Sequence, residues 1–282
     1  MKNNLETLCL NFSYLNNLKI DNDVFNSLNN LKSLEHIEFI YLQFSKPFKI
    51  ILPNLKTINF HNCKNIVFDE NSTKNIKYLE LNKTDIQFGI KYKFDNLEVL
   101  NINKSNIDID FISLTKIKSL KSSKIEIIEN IINYSSLEKF SNLYMSQLSF
   151  KEEQKLIEII LMNKTLKKIE IELNENSNKE LSEYLINNQI NKLKLKINKD
   201  NYDIINFLKR FINIKELTIF YYSDNKDTFT EIKNDENIII DKINIYSNLN
   251  TIISFSFSNI KKIRNRNSNQ KNAKKFIFRI YN

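Results

Sequence analysis

The sequence predicts an α/β solenoid, a right-handed coil of short strands that lays a parallel β-sheet along its concave side. Three observations predict it. A short frame with apolar residues at its first, fourth and sixth positions recurs along almost the whole chain, and its copies start at near-regular intervals. The residues between the apolar ones are mostly polar, so every copy has one face to bury and one to expose. With 282 residues and 41% hydrophobic content, the chain can bury a continuous core.

The clearest copy of the frame is Leu55-x-x-Ile58-x-Phe60-x-x-Cys63-x-x-Ile66. It recurs at Leu5/Leu8/Leu10, Leu34/Ile37/Phe39, Ile76/Leu79/Leu81, Leu97/Leu100/Ile102, Leu166/Ile169/Ile171, Ile190/Leu193/Leu195, Ile214/Leu217/Ile219 and Ile240/Ile243/Ile245, with weaker copies starting at Ile117 and Leu137. Successive starts are 29, 21, 21, 21, 20, 20, 29, 24, 24 and 26 residues apart. In an extended segment the residues at positions four and six point to one side, and those at three, five and seven to the other. One copy cannot bury its apolar side alone, so neighbours stack and their strands pair in parallel. Position nine turns inward, where a small or amide side chain can bond to unpaired backbone groups. Cys63, Asn174, Asn198 and Asn248 fall in that slot, with Ser13, Thr84 and Ser105 in other copies, so Cys63 is expected to be a buried spacer. This pattern resembles the leucine-rich-repeat family over about residues 5 to 248, and the resemblance implies a single solenoid domain spanning 1–282.

Taken in order, residues 1–136 hold mainly 20–21-residue repeats, whose returns of some ten residues leave little room for helix. Short, non-helical returns are expected there, apart from a helix around Asp23 to Leu28 that fills the first long interval. Residues 137–250 hold repeats of 24–29 residues. There Ser149-x-x-Glu152, Ser177-x-x-Glu180 and Asp200-x-x-Asp203 each set a cap ahead of an apolar run, in KEEQKLIEIILM, KELSEYLI and YDIINFLKRFI, which predicts helical returns. Residues 251–282 read as two strands, Ile252-x-x-Phe255-x-Phe257 and Phe276-x-Phe278-x-Ile280, joined by a polar loop over 261–275. They are expected to form a basic cap over the end of the core. The chain has one Gly against about one Asn in every six residues, a bias that AT-rich codons produce. Asn is expected to take the left-handed corners that Gly would otherwise occupy.

The frame also names the exposed inner face. In the first half it carries His36, Glu38, Thr57, Asn59, His61, Tyr78, Glu80, Asn82, Val99, Asn101 and Asn103, a mostly neutral set. In the second it is charged. Lys192, Lys194 and Lys196 share one strand face and read either as an anion site or as rungs of a ladder, with Lys194 beside Glu170, Lys196 beside Glu172 and Lys192 beside Glu216. Phe220 and Tyr246 occupy position seven of adjacent repeats, with Tyr222 close by, and exposed aromatics are where binding energy concentrates. These six residues form the expected contact site for an unidentified protein, and the chain is read as a non-catalytic interaction scaffold.

The alternative is an anion-tethered module. No acidic residue follows Asp241, whereas Lys261, Lys262, Arg264, Arg266, Lys271, Lys274, Lys275 and Arg279 all lie in the last segment. The first seven would contact nucleic acid or an anionic membrane. Catalysis is not expected: His36 and His61 are the only histidines, about 13 Å apart along the strand direction, and one Gly excludes a phosphate-binding glycine loop. No cofactor, metal or small-molecule substrate is implied, and a monomer is expected. Two cysteines and a start without an apolar signal core point to a cytoplasmic, reducing setting.

Overall fold

In a computed structural model of the chain, the structure describes residues 5–14, 19–86, 90–122, 124–134, 137–142, 148–173, 186–187, 189–197, 207–211, 213–221, 229–233, 240–247, 252–256, 260–265 and 278–279. It is an α/β chain with parallel sheet throughout, in two compact units, 1–137 and 138–282. The frame residues build the main sheet of each.

In the first unit the strands are β1 (Thr7–Asn11), β2 (His36–Ile40), β3 (Thr57–His61), β4 (Tyr78–Asn82), β5 (Val99–Asn103) and β6 (Ser119–Ser122), paired in that order. They are parallel and in register, so that like positions face each other: His36 lies beside Thr7 and Thr57, and Tyr78 beside Thr57 and Val99. From β2 to β6 positions one, four and six are buried wherever they are apolar, as with Leu55, Ile58 and Phe60, each 0% exposed, whereas at β1 Leu5 is exposed and Leu8 and Leu10 are half-buried. Phe39 stacks on Phe60 with ring centroids 5.0 Å apart, extending the core from strand to strand. Behind this sheet the returns form a second parallel sheet, Lys19–Ile20, Gln43–Ile50, Lys64–Phe68 and Asp85–Ile86, together with single helical turns. The helix expected near Asp23 is one such turn, Asn22–Phe25, followed by a 3-10 segment over Asn26–Asn30.

One return departs from the expectation of a non-helical first half. Ile125–Tyr134 is a ten-residue α-helix. The Lys124 amide donates to Ser122 Oγ at 3.0 Å where the chain leaves β6, and Ile127, Ile128 and Ile131 are buried along one stripe. Ten residues rise only about 15 Å as helix, so a 20-residue repeat can hold one wherever its return is apolar at helical spacing.

In the second unit the strands are β7 (Lys139–Asn142), β8 (Lys168–Leu173), β9 (Lys192–Ile197), β10 (Glu216–Tyr221), β11 (Ile240–Ser247) and β12 (Ile260–Asn265), again parallel and paired in order. Of the three helical returns expected here, one is formed, Phe150–Met162. It opens on a reciprocal cap in which the Glu152 amide donates to Ser149 Oγ and the Ser149 amide to the Glu152 carboxylate. Most of KELSEYLI and the start of YDIINFLKRFI lie outside the described residues, and of the rest only Phe207 and Leu208 are helical before a turn. The later returns are strands. Phe229–Lys233, Ile252–Ser256 and Phe278–Arg279 form their own three-stranded parallel sheet. Among the described residues this half therefore uses a helical return early and strand returns later, where β-branched and aromatic residues favour strand.

The C-terminal segment is corrected for the same reason. Its expected polar loop is strand over 261–265, because Ile260 and Ile263 repeat the frame and pair with Ile240 and Ile243. The segment thus continues both sheets rather than capping them. No helix among the described residues is long and apolar enough to cross a membrane.

The tight corners meet the Asn expectation in part, at Asn62 and Asn65, where φ is 55° and 60°. Position eight has φ near +50° to +60° in four consecutive repeats, and the residues there are Tyr41, Asn62, Lys83 and Lys104. Only one is Asn. The amides of Tyr41, Asn62 and Lys83 donate to His61, Asn82 and Asn103 carbonyls of the next repeat at 2.8, 2.8 and 2.9 Å. That strand-to-strand ladder holds a conformation that costs a non-glycine residue about 1–2 kcal/mol.

Candidate functional site

The frame leaves positions three, five and seven of each strand on an open, half-exposed face, and the two units fill it differently. In the first unit the groups bond to one another. Asn82 Nδ2 lies 3.2 Å from His61 Nδ1, and Asn59 Oδ1 lies 2.7 Å from His61 Nε2. Asn103 donates to Asn82 at 2.9 Å, and Asn101 donates to the Tyr78 hydroxyl at 3.0 Å and to Glu80 at 3.2 Å. The Tyr78 hydroxyl donates to the Glu80 carboxylate, and burial together with that carboxylate pushes its pKa up to about 12. This network spends its polar groups on itself.

Just past the strands of this unit, position nine forms an inner ladder. Thr84 Oγ1 donates to the carbonyls of Phe60 and Asn82, at 3.1 Å each, and accepts from the Cys63 amide at 3.2 Å. The Thr84 amide in turn donates to Ser105 Oγ at 2.9 Å. Cys63 is fully buried, its thiol donates to the Phe39 carbonyl at 3.3 Å, and burial pushes its pKa up to about 11. It is a spacer, as its slot predicts. Ser13 is only half-buried, and Asn174, Asn198 and Asn248 lie outside the described residues.

The open face of the second unit is ionic and aromatic. Register sets Lys194 beside Glu170, Lys196 beside Glu172 and Lys192 beside Glu216, and all three pairs form. Lys196 sits 3.4 Å from Glu172, whose side chain is only 3% exposed, and Lys192 sits 3.6 Å from Glu216. Glu216 also pairs with Lys242 on the far side and accepts from Asn244 at 3.1 Å. The Lys242 contact, outweighing desolvation, holds its carboxyl below the ordinary glutamate value of 4.5. The lysines of β9 are rungs in a ladder, so three bare ammonium groups on one strand are not what this face offers an anion.

Phe220 and Tyr246 are brought together as their register requires. Their rings stack 4.6 Å apart at an interplanar angle of 6°, both half-buried, and Lys194 Nζ lies 4.8 Å over the Phe220 ring. Phe220 thus has one face on Tyr246 and one under an ammonium group, an arrangement that stabilises the ring in the open. Tyr222 lies outside the described residues, as do Arg266, Lys271, Lys274 and Lys275. Lys261, Lys262 and Arg264 lie on β12, where Lys262 and Arg264 take register positions three and five beside Lys242 and Asn244.

The frame contained one further feature that went unassigned because the copy at Leu137 is weak. Lys139, Lys168 and Lys192 occupy position three of β7, β8 and β9 and are direct neighbours. All three are exposed. Among the described residues, no set of three His, Cys, Asp or Glu side chains is grouped to hold a metal ion. His36 lies beside Thr57 and His61 beside Ile40, so the two histidines sit four residues apart along the strands.

Compared with family models and with curated proteins, the chain matches none.

Proposed function

We propose that this chain is a non-catalytic solenoid of the leucine-rich-repeat type that binds a protein partner through the open face of its second unit. Support for the coil comes from the in-register parallel strands of successive repeats, since crossovers between adjacent parallel strands are right-handed in about 98% of cases. Support for the site comes from one observation above all. Phe220 and Tyr246 form a rigid stacked pair on a face that is otherwise charged, half-exposed and braced by Lys194. Aromatic side chains ringed by polar ones are the usual anchors of protein interfaces, because they bury much area and lose little conformational freedom. A monomeric protein of a reducing, cytoplasmic setting belongs to the same reading, with Cys9 and Cys63 as free thiols.

The test is affinity capture from cells with the tagged chain and with its Phe220→Ala/Tyr246→Ala variant, followed by mass spectrometry. The expected result is a protein recovered reproducibly by the wild-type chain and lost by a variant whose Tm stays within about 2 °C. Equal recovery by both chains, or a loss that tracks a fall in Tm, overturns the reading.

The anion-tethered alternative draws on Lys262 and Arg264, which pair in register with Lys242 and Asn244. Neutralising residues 261 to 275 should then abolish binding to single-stranded DNA or anionic vesicles, and binding should fall steeply with salt. Salt-insensitive binding, or none, discards it.

A further inference from the structure

The row at position three of the second unit carries a feature that the aromatic pair does not explain. Counting across the strands from β7, it reads Lys139, Lys168, Lys192, Glu216, Lys242 and Lys262. Glu216 is the single carboxylate in it and is shared between Lys192 and Lys242. Lys139 and Lys168 have no carboxylate partner among the described residues, and both are exposed. Lysines placed directly opposite each other in adjacent strands repel and weaken the pairing. The cross-strand pairs elsewhere on this face relieve such repulsion: Lys194 with Glu170, Lys196 with Glu172. At Lys139 and Lys168 nothing within the sheet does so.

From this we infer that Lys139, Lys168 and Lys192 form a docking row for the acidic face of an α-helix in the protein partner. The inference rests on the reading of this face as a binding surface and names the chemistry of what binds. Charge complementarity selects an acidic occupant. Spacing selects its conformation. The lysines recur at the strand separation, about 4.8 Å, and carboxylates at i and i+4 on a helix stand about 5–6 Å apart. Same-side residues of an extended segment stand about 6.6–6.8 Å apart and fall out of step by the third lysine. A helix lying across the strands therefore sets successive carboxylates over successive ammonium groups. It also converts the repulsion between Lys139, Lys168 and Lys192 into a cooperative attraction that only the bound state has.

The experiment measures fluorescence anisotropy of the full chain at low ionic strength with three labelled probes: a helical peptide with glutamates at i, i+4 spacing, a peptide of the same composition with its glutamates contiguous, and an oligothymidylate of equal charge. The spaced helical peptide is expected to bind tightest, and Lys139→Glu/Lys168→Glu is expected to weaken it about tenfold or more, with an unchanged circular dichroism spectrum. Both lysines are exposed, so the substitutions leave the core intact. Equal affinity for the variant and wild-type chains overturns the proposal. So does equal binding of the contiguous peptide, and tighter binding of the oligothymidylate assigns the row to nucleic acid instead. If the protein captured by the wild-type chain is kept by the lysine variant but lost by Phe220→Ala/Tyr246→Ala, the lysine row falls and the aromatic site stands. The opposite pattern separates the two the other way.

Discussion

On the open face of the first unit, side-chain amides, a histidine and a tyrosine bond across the strands from Asn59 to Asn103. On that of the second unit, lysines and glutamates pair from Glu170 to Lys242 around a stacked Phe–Tyr pair. Both faces come from the same frame and the same in-register parallel pairing, so the difference lies wholly in which side chains occupy positions three, five and seven. A network of amides, His61, Tyr78 and the Glu80 carboxylate, bonded mostly to one another, offers little that a charged partner can gain. A charge ladder in which Lys139 and Lys168 have no carboxylate partner among the described residues leaves part of its potential for something outside it. The comparison teaches that repetition of the backbone need not mean repetition of the binding surface.

The comparison can be broken at three points. The largest effect is expected inside the first unit, where the ladder at position nine depends on neutral hydrogen bonds. Thr84→Val keeps the shape but removes a hydroxyl that bonds to Phe60, Asn82 and Cys63, and it should cost about 1–3 kcal/mol in urea unfolding, independent of salt. A neutral result would mean that the ladder is not what holds the corner.

The next effect has the opposite sign. Lys83→Gly/Lys104→Gly relieves positive φ at two corners and should stabilise the first unit by about 1 kcal/mol in total, after the loss of unfolded-state restriction is set against it. Destabilisation would show that the lysine side chains contribute more than the backbone strain costs.

The smallest effect belongs to the second unit and depends on pH. Because the folded pKa of Glu216 is depressed, its contribution is fully present above the ordinary glutamate value of 4.5 and is lost as pH falls through the folded value. Glu216→Gln should therefore lower stability near pH 7 by less than about 1 kcal/mol, with little effect once pH is well below the folded value. High salt should shrink the difference. A pH-independent loss would assign Glu216 a packing role and remove the ionic half of the comparison.

Much of this was legible before any coordinates. Past the first copy, whose Leu5 is exposed, the apolar triplets named the buried positions down to the weak copies, where Ile117, Leu120, Leu137 and Phe140 are each 0% exposed. Once the frame was set, the pairing partners of Lys192, Lys194 and Lys196 and the adjacency of Phe220 and Tyr246 followed from register alone. The returns were harder to read. Their length does not decide between helix and strand, as Ile125–Tyr134 shows as helix in a 20-residue repeat and Phe229–Lys233 shows as strand in a 26-residue one. The corner residues were illegible for another reason: nothing about Tyr41 or Lys83 favours positive φ, and their conformation is held by the amide each donates to the next repeat.

What the sequence by itself determined is the alternation: which side chains of each strand enter the core and which remain on the open face, because strand geometry allows only two sides. What only the tertiary structure decided is how the open-face groups share their partners. The sharing of Glu216 between Lys192 and Lys242, the seat of Lys194 over Phe220 and the lack of a carboxylate partner for Lys139 and Lys168 among the described residues depend on distances between side chains of neighbouring strands. Those distances exist only after the repeats have stacked, since a side chain several ångströms long can reach more than one neighbour and the sequence does not say which it takes.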